Sequence, residues 1–297
     1  MILTIEAWIL GGMLAAVSLA SLIGYVLRRR QPNNPAIENL NTRIRSWWTI
    51  TLVCGGALLA GRVAIILLFA LVSALALREF LAQAPARRAS RFAPFVCFFL
   101  LLPVQYLLID VAWYGLFCIW IPVYGFLALA FAGSTYWGLM VCVYCVSHVP
   151  ALLMLKIPGF ENRSPFLIVF VVSIAQVSDI LQYVWGKLIG RHLLSPTISP
   201  SKTVEGLVGG VLSATVFGAL LWPITPFTVW QAGLMAFLIA MLGAFGGAVM
   251  SAIKRERGIK DWGRLIEGHG GVLDRIDSLC FSAPVFFHLT RYFFAML

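Results

Sequence analysis

Long apolar runs of 15 to 23 residues dominate this chain of 297 residues. A helix of about 20 apolar residues is long enough to cross the ~30 Å hydrocarbon core of a bilayer. Only 11% of the residues are charged, against roughly 25% in a soluble domain, so most of the chain must face lipid or other apolar helices. The sequence therefore predicts an all-α, polytopic integral membrane protein in which residues 1–297 form a single membrane domain.

Ten membrane-spanning helices are predicted, with nine as the alternative. Arg62 separates the second and third runs, and the second run is short, so it could instead be a re-entrant segment. The first run is expected to remain as an anchor, because Glu6 precedes it and three arginines follow it, the reverse of a cleavable leader. The predicted spans are residues 5–27, 47–61, 63–80, 92–109, 111–132, 136–155, 165–187, 204–222, 228–250 and 276–295.

Basic residues gather on one side of this predicted arrangement. With the N-terminus outside, 18 of the 22 Lys and Arg residues fall in or beside the cytoplasmic segments, as the positive-inside rule requires. The exceptions are Arg62, Lys156, Arg163 and Arg291. The net charge of +10 therefore indicates contact with anionic membrane lipids and requires no nucleic acid partner.

The six cysteines lie in or beside apolar runs, where a free cysteine behaves as a small hydrophobe, so disulfides are not expected. Cys142, Cys145 and His148 follow one another at intervals of three residues in the sixth run. They could be ligands of a soft metal, but they lack a fourth partner in the sequence. Packing between helices is the favoured interpretation.

An acidic residue lies deep in the seventh run. Asp179 stands about 13 residues after Phe166, and Gln176 and Gln182 share its helix face. A carboxylate at that depth costs about 2.5–3.5 kcal/mol on insertion scales, so it should face a protein interior or a wet cavity and serve function. The alternative is an interhelical hydrogen bond that only fixes packing.

The connection between the seventh and eighth runs is rich in polar residues. Pro196 and Pro200 impose non-helical backbone, while Ser199, Lys202 and Thr203 supply hydrogen-bond donors. Such a turn before a helix is suited to contact phosphate. Thr203 could equally be a simple N-cap of the eighth helix.

Residues 254–279 read KRERGIKDWGRLIEGHGGVLDRIDSL and hold 11 of the 34 charged residues of the chain. Asp274 and Asp277 would share one face at the start of a helix, and carboxylates at such spacing suit Mg²⁺. A positive-inside anchor is the plain alternative, but the interleaved acidic residues, the dense glycines and His269 between glycines weigh against it. Backbone N–H groups of the GHGG stretch could approach a polyphosphate, as could the basic side chains of Lys254, Arg255, Lys260, Arg264 and Arg275.

These residues resemble the signature of the phosphatidate cytidylyltransferases, or CDP-diacylglycerol synthases, which has the form S-x-x-K-R-x4-K-D-x-G-x2-I-P-x-H-G-G-x-x-D-R-x-D. The resemblance covers about residues 175–280, with only an Arg78-Glu79-Phe80 helix end matching earlier in the chain. The signature residues present are Ser251, Lys254, Arg255, Lys260, Asp261, Gly263, Ile266, His269, Gly270, Gly271, Asp274, Arg275 and Asp277. An upstream S-P-x-K-T-x-E-G element and a D-x3-Y-x2-G helix are matched by Ser199, Pro200, Lys202, Thr203, Glu205, Gly206, Asp179, Tyr183 and Gly186.

The resemblance implies a membrane enzyme that joins CTP to phosphatidic acid, forms CDP-diacylglycerol and pyrophosphate, and uses Mg²⁺, with a second cation as an option. It implies metal ligation by Asp274 and Asp277. It implies a location in a bacterial inner (cytoplasmic) membrane with the active site facing the cytoplasm, among membrane lipids, and is compatible with a homodimer. The implied catalytic residues are Asp179, Lys202, Asp261, His269 and Arg275, and the implied substrate-binding residues are Ser199, Thr203, Lys254, Arg255, Lys260, Gly270 and Gly271.

Three positions depart from the family pattern. Glu267 replaces a usual proline, Gln182 replaces a usual alanine, and Gly247 replaces an aspartate that is expected to bind metal in the family. The last departure leaves two alternatives: Asp274, Asp277 and Asp179 hold the metal together with substrate phosphates, or the chain is a divergent paralogue that binds lipid or nucleotide without catalysis. An anion transporter is a further alternative, but the polar residues pool at one predicted face and no halves repeat, unlike in transporters.

Overall fold

The structure, a computed structural model, describes residues 2–31, 34–83, 92–129, 133–266 and 270–296. Within these residues the chain forms ten helical segments and one short hairpin, and helices α4, α5 and α6 each contain a π-helical stretch. The helices are α1 Ile2–Arg30, α2 Pro35–Ala60, α3 Arg62–Ala82, α4 Phe92–Asp110, α5 Tyr114–Ala128, α6 at residues 133–151, α7 Pro165–Ile189, α8 Val204–Leu220, α9 Val229–Glu256 and α10 Leu273–Phe294. The strands are β1 Leu193–Ser195 and β2 Ser199–Thr203, and single 3₁₀ turns cover Leu152–Met154 and Trp222–Ile224.

Each predicted apolar run corresponds to one helix. Six of the described helices are long and apolar enough to cross a membrane, and α5 and α8 are apolar but shorter. The chain is therefore an all-α integral membrane protein, whereas ten crossings stay a prediction. One boundary differs from expectation. The Pro, Asn and paired charges of residues 28–45 predict a surface connection or a short interfacial helix between the first two runs, but α1 extends to Arg30 and the 26-residue helix α2 already begins at Pro35.

Contacts between helix ends show an alternation of helix direction, since α3 runs antiparallel to α4 and to α6. At the start of α3, the Arg62 guanidinium donates from Nη1 to the Leu153 carbonyl at 2.7 Å and from Nη2 to the Ile109 carbonyl at 2.8 Å. At the end of α3, the Phe80 ring stacks on the Trp137 ring of α6, with ring centres 5.7 Å apart. We call the end of the helix bundle that contains Phe80 the motif end.

Helices α7 to α10 pack side by side through small residues. A Cβ added to Gly210 of α8 would lie 2.6 Å from the Gln182 backbone nitrogen of α7. A Cβ added to Gly246 of α9 would lie 2.5 Å from the Phe281 ring of α10. Such close approach is typical of helices that associate in membranes. The close packing of α7 to α10 brings the β-hairpin, the end of α9 and the start of α10 together at the motif end.

The six cysteines are all free thiols in this structure. Cys142 and His148 are buried within α6. Among the described residues, no group of three or more His, Cys, Asp or Glu side chains is placed to hold a metal ion. The burial of Cys142 and His148 supports the packing interpretation of these residues.

Candidate functional site

Three parts of the chain bring the predicted site residues to the motif end: helix α7, the hairpin before α8, and the connection between α9 and α10. The hairpin pairs Leu193 with Thr203 and Ser195 with Ser199 in antiparallel register. The backbone between α7 and α8 is thus non-helical, as the two prolines predict. We call residues 257–272 the α9–α10 loop, of which 267–269 lie outside the described residues.

Asp179, Lys202 and Asp277 form a charged cluster drawn from α7, β2 and α10. Asp179 is close enough to Asp277 to repel it. Lys202 and Arg275 act on both carboxylates, and Lys254 also acts on Asp277. A Cβ added to Gly247 of α9 would lie 3.2 Å from Lys202 Nζ and 4.0 Å from Asp277 Oδ2. The Gly247 face of α9 therefore closes the cluster, and the two cations offset the repulsion between the two carboxylates.

Asp274 is occupied by contacts within the protein. Its side chain is buried, and Oδ1 accepts a hydrogen bond of 2.8 Å from Lys254 Nζ. Oδ2 accepts from the backbone nitrogens of Trp262 at 2.8 Å and Gly271 at 3.0 Å. One carboxylate thus ties the end of α9 to two points of the α9–α10 loop.

The hairpin is anchored to the helices on both sides. Thr203 Oγ1 accepts from the Gly206 nitrogen at 3.1 Å, which confirms the N-cap interpretation of its side chain. Glu205 in the first turn of α8 accepts from the Arg191 nitrogen at 3.0 Å and contacts His192 Nδ1 at 2.5 Å. The segment after α7 is thereby folded back onto the start of α8, which fixes the position of Lys202 in β2.

Arg255 connects the hairpin to the α9–α10 loop. Its Nε donates to the Ile198 carbonyl at 3.3 Å, and its Nη1 donates to the Ile259 carbonyl at 3.1 Å. The side chain is exposed, so it can also contact a ligand from the water side. Arg255 therefore ties together the two segments that carry most of the predicted phosphate-binding residues.

The α9–α10 loop rests on the end of α3. Trp262 is 1% exposed, and its ring lies 5.1 Å from the ring of Phe80. The Arg257 guanidinium stands 4.3 Å over the Phe80 ring and donates to the Phe80 carbonyl at 3.3 Å. Glu79, also buried, accepts from the backbone nitrogens of Val272 at 3.0 Å and Leu273 at 2.9 Å.

Glu79 had no predicted role at this site. The available signal was an acidic residue at the end of an apolar helix, in the Arg78-Glu79-Phe80 stretch. The sequence could not show that its carboxylate meets backbone groups 193 and 194 residues later in the chain. A buried carboxylate is stable only where donors satisfy it, and here the donors are at the start of α10.

Gly270 and Gly271, predicted to present backbone to a phosphate, are used inside the loop. The Gly270 carbonyl accepts from the Ile266 nitrogen at 2.9 Å, and the Gly271 nitrogen donates to Asp274. Gly270 has a φ of +83°, a conformation that favours glycine. Their substrate-binding role stays a prediction.

The remaining predicted residues lie around this core. Lys260, Asp261 and Arg264 are exposed on the α9–α10 loop, and Ser199 is half-buried in β2. Gln176 donates to the Arg275 carbonyl at 3.1 Å, which links α7 to the first turn of α10. His269 lies outside the described residues.

The donor set at the cluster fits a hard cation. Asp277 uses Oδ1 to accept from the Ser278 nitrogen at 2.8 Å, while Oδ2 faces Gly247 and Lys202. Magnesium commonly takes one or two protein carboxylates and fills its other positions with water and substrate phosphates. Asp277 and Asp179 supply such a pair, and Asp274 already has Lys254 as its cation.

An open recess of about 560 Å³ lies at the opposite end of the bundle. It is lined by Arg62, Lys156 and Glu161 among others and contains none of the motif residues. The predicted chemistry therefore concentrates at the motif end.

A family model described as "Cytidylyltransferase family" matches residues 41–293. "Uncharacterized protein YnbB" of Escherichia coli (strain K12) is 38% identical over 299 residues, which cover 95% of this chain and 97% of that protein. "Phosphatidate cytidylyltransferase" of Staphylococcus saprophyticus is 38% identical over 130 residues, 42% of this chain and 50% of that enzyme. The Staphylococcus epidermidis protein of the same name is 33% identical over 172 residues, 54% of this chain. The chain thus spans 50% and 66% of these two staphylococcal relatives.

Proposed function

The chain belongs to the cytidylyltransferase family and is a nucleotidyltransferase, and from this premise we propose that it converts CTP and phosphatidic acid into CDP-diacylglycerol and pyrophosphate. The observation that carries the proposal is the cluster of Asp179, Asp277 and Lys202, which three elements assemble beside a cationic loop at one end of a membrane bundle. Carboxylates for a metal and cations for a polyphosphate are what transfer of a nucleotidyl group needs.

In this reaction a phosphate oxygen of the lipid attacks the α-phosphorus of CTP. A new P–O bond forms while the bond from the α-phosphorus to the oxygen bridging to the β-phosphate breaks, and pyrophosphate leaves. The lipid phosphate is already anionic at neutral pH, so no strong general base is required. The protein contributes chiefly by positioning the two substrates and by neutralising charge.

Lys202 and Arg275 stand beside the carboxylate cluster and would contact the triphosphate where bonds change. Lys260 and Arg264, exposed on the α9–α10 loop, and Arg255, exposed between that loop and the hairpin, would contact the outer phosphates. Lys254 has a different task, since it pairs with Asp274 at 2.8 Å. His269 keeps its predicted role as a donor to phosphate or a shaper of the GHGG turn.

Asp277 and Asp179 would hold Mg²⁺. When bound there, the ion would draw charge from the triphosphate and from the leaving pyrophosphate. Asp274, which the sequence predicts as a metal ligand, would act through the loop, because its hydrogen bonds hold Lys254, Trp262 and Gly271 in place.

The motif end carries the basic segments, so it is expected to face the cytoplasm, where CTP is dissolved. The lipid would reach the site from the bilayer between the membrane helices. A homodimer, which the sequence allowed, stays a prediction.

The deciding experiment uses the full chain purified in detergent with Mg²⁺, radiolabelled CTP and phosphatidic acid. We expect a labelled lipid-soluble product together with one pyrophosphate for each product molecule. Omission of phosphatidic acid is the control and should leave the label in the water phase. Binding of CTP with no lipid product in any lipid composition would support the non-catalytic alternative that Gly247 suggests.

A further inference from the structure

Glu79 at the end of α3 lies where an anion-binding site would otherwise be. The first N–H groups of a helix have no partner within the helix and carry partial positive charge. At the start of α10 two of these groups, from Val272 and Leu273, donate to the Glu79 carboxylate at 3.0 and 2.9 Å. The start of α10 is therefore filled by a carboxylate of the protein itself and is not open to a substrate phosphate.

The surroundings leave room for this carboxylate and for little else. A Cβ on Gly271 would lie 2.3 Å from Glu79 Oε2, and a Cβ on Gly263 would lie 2.5 Å from Glu79 Oε1. A methyl group at either position would therefore displace Glu79. Both glycines belong to the α9–α10 loop, so the loop is shaped around this one side chain.

The contact of Glu79 continues directly into the site. Val272 and Leu273, which Glu79 holds, lie between Gly271 and Asp274 in the chain. Asp274 binds the Gly271 nitrogen on one side and Lys254 on the other. A shift of residues 271–273 away from Glu79 would therefore move Asp274. It would weaken the hydrogen bonds of Asp274 to Lys254 and to the loop nitrogens.

We propose that Glu79 is a positioning residue of the cytidylyltransferase site, which holds the α9–α10 loop and the first turn of α10 so that the loop cations meet the triphosphate of CTP. Glu79 acts through the backbone of residues 272 and 273 and touches no reacting atom. The inference rests on the proposed function for its kinetic part, whereas the docking of the loop on Glu79 can be tested without any reaction.

The test compares Glu79→Gln with Arg78→Gln, an exposed neighbour on the same helix. The amide keeps the size of the side chain but loses the charge and one acceptor, so a docked loop should open more often. Trypsin digestion measures this opening, because trypsin cleaves after Lys and Arg, and Arg257, Lys260 and Arg264 lie in the loop. We expect cleavage within residues 257–264 to become about tenfold faster in Glu79→Gln and to stay at the wild-type rate in Arg78→Gln.

The kinetic part of the test measures KM for CTP and kcat separately in Glu79→Gln. A positioning role predicts that KM for CTP rises by about ten- to a hundredfold, with a smaller change in kcat. A merely structural role would lower the melting temperature and the active fraction, and hence kcat, at an unchanged KM. Glu79→Asp retains the charge one methylene short of its donors and should fall between wild type and Glu79→Gln in both readouts.

Wild-type cleavage rates and a wild-type KM in Glu79→Gln would overturn the proposal. If Glu79→Gln is not recovered folded, Glu79→Asp takes its place, and wild-type values there are equally decisive against it. Absence of lipid product from the wild-type protein would instead refute the proposed function, while the trypsin comparison would still decide whether Glu79 docks the loop.

Discussion

Asp274 and Asp277 are three residues apart on one helix, yet their carboxylates do different things. Asp274 sits in the first turn of α10, and its carboxylate turns back to accept hydrogen bonds from the loop nitrogens of Gly271 and Trp262. Asp277, one turn later, reaches the cluster with Asp179 and Lys202. The sequence predicts both as metal ligands because their spacing shows a shared face, but spacing cannot show that a nearby loop also uses the Asp274 carboxylate. A metal role of Asp274 stays a prediction.

The two carboxylates should therefore fail in different ways when neutralised. Asp277→Asn is expected to lower Mg²⁺-dependent turnover by about a hundredfold. The free energy of unfolding should be unchanged or slightly higher, since the substitution removes one of two repelling carboxylates. Asp274→Asn leaves the largely buried Lys254 side chain, which is 12% exposed, without its counter-charge and should cost about 3 kcal/mol of stability. Turnover over a range of Mg²⁺ concentrations and thermal unfolding in detergent measure the two effects. A wild-type Mg²⁺ response in Asp277→Asn would remove Asp277 from the metal site.

Gly247 is the residue whose meaning the structure changes most. In a helix that packs through small residues, a side chain at this position would ordinarily clash with a neighbouring helix. An added Cβ would instead meet Lys202 Nζ at 3.2 Å, the mobile end of a long side chain, with Asp277 Oδ2 at 4.0 Å. Lys202 thus places a positive charge beside the position where the family pattern has a carboxylate.

Gly247→Asp should accordingly fold, pair with Lys202 and add a third carboxylate to the cluster. We expect the Mg²⁺ concentration for half-maximal turnover to fall by about tenfold. The matched control is Gly246→Asp, whose Cβ would lie 2.5 Å from the Phe281 ring and 3.1 Å from the Asp277 carbonyl, and which should lose about 1–3 kcal/mol of stability through overpacking. Unchanged stability and an unchanged Mg²⁺ response in Gly247→Asp would show that the site does not use this position.

At the scale of elements, the ten helices could be predicted because apolar length alone demands them. The hairpin was predicted only as non-helical backbone, since the prolines exclude helix without choosing what replaces it. The pairing of α7 with α8 could not be predicted. It depends on which glycines meet which backbone, as Gly210 meets Gln182, and a single sequence does not contain that pairing.

The α7–α8 contact can be tested by adding one methyl group. Gly210→Ala would place its Cβ 2.4 Å from the Gln182 side chain and 2.6 Å from its backbone nitrogen, so α8 must move away from α7. We expect a loss of about 1–3 kcal/mol and a marked fall in turnover, because α8 carries the hairpin and Lys202 with it. Gly56→Ala on α2 has nothing within 4 Å of the added Cβ and is the matched control. Equal melting temperatures for the two variants would argue against close packing at Gly210.

For the molecule as a whole, the charge pattern predicted where the site lies, and the contacts at the motif end agree with it. What the pattern could not supply is the part played by α3. Glu79 and Phe80 support the α9–α10 loop from a helix about 180 residues earlier in the chain, and only the folded bundle brings them together. A motif search restricted to residues 175–280 would therefore describe the site without its support.

Orientation in the membrane follows from the same alternation of helices. Lys260 is exposed at the motif end, and Glu161 is exposed in the connection before α7 at the opposite end. Because most Lys and Arg residues gather at the motif end, a cysteine in place of Lys260 should react with a membrane-impermeant maleimide only after cells are permeabilised. A cysteine in place of Glu161 should react in intact cells.

The unsubstituted protein is the background control for this experiment, since its six cysteines are buried or half-buried thiols. Each position is a control for the other, because the two lie at opposite ends of the same helix bundle and should react on opposite sides of the membrane. Labelling of Lys260→Cys and not Glu161→Cys in intact cells would invert the topology and put the CTP site outside the cell, where the proposed reaction has no substrate. Labelling of both in intact cells would mean that the α9–α10 loop and the connection before α7 share one side, and the alternating arrangement of helices would then be wrong.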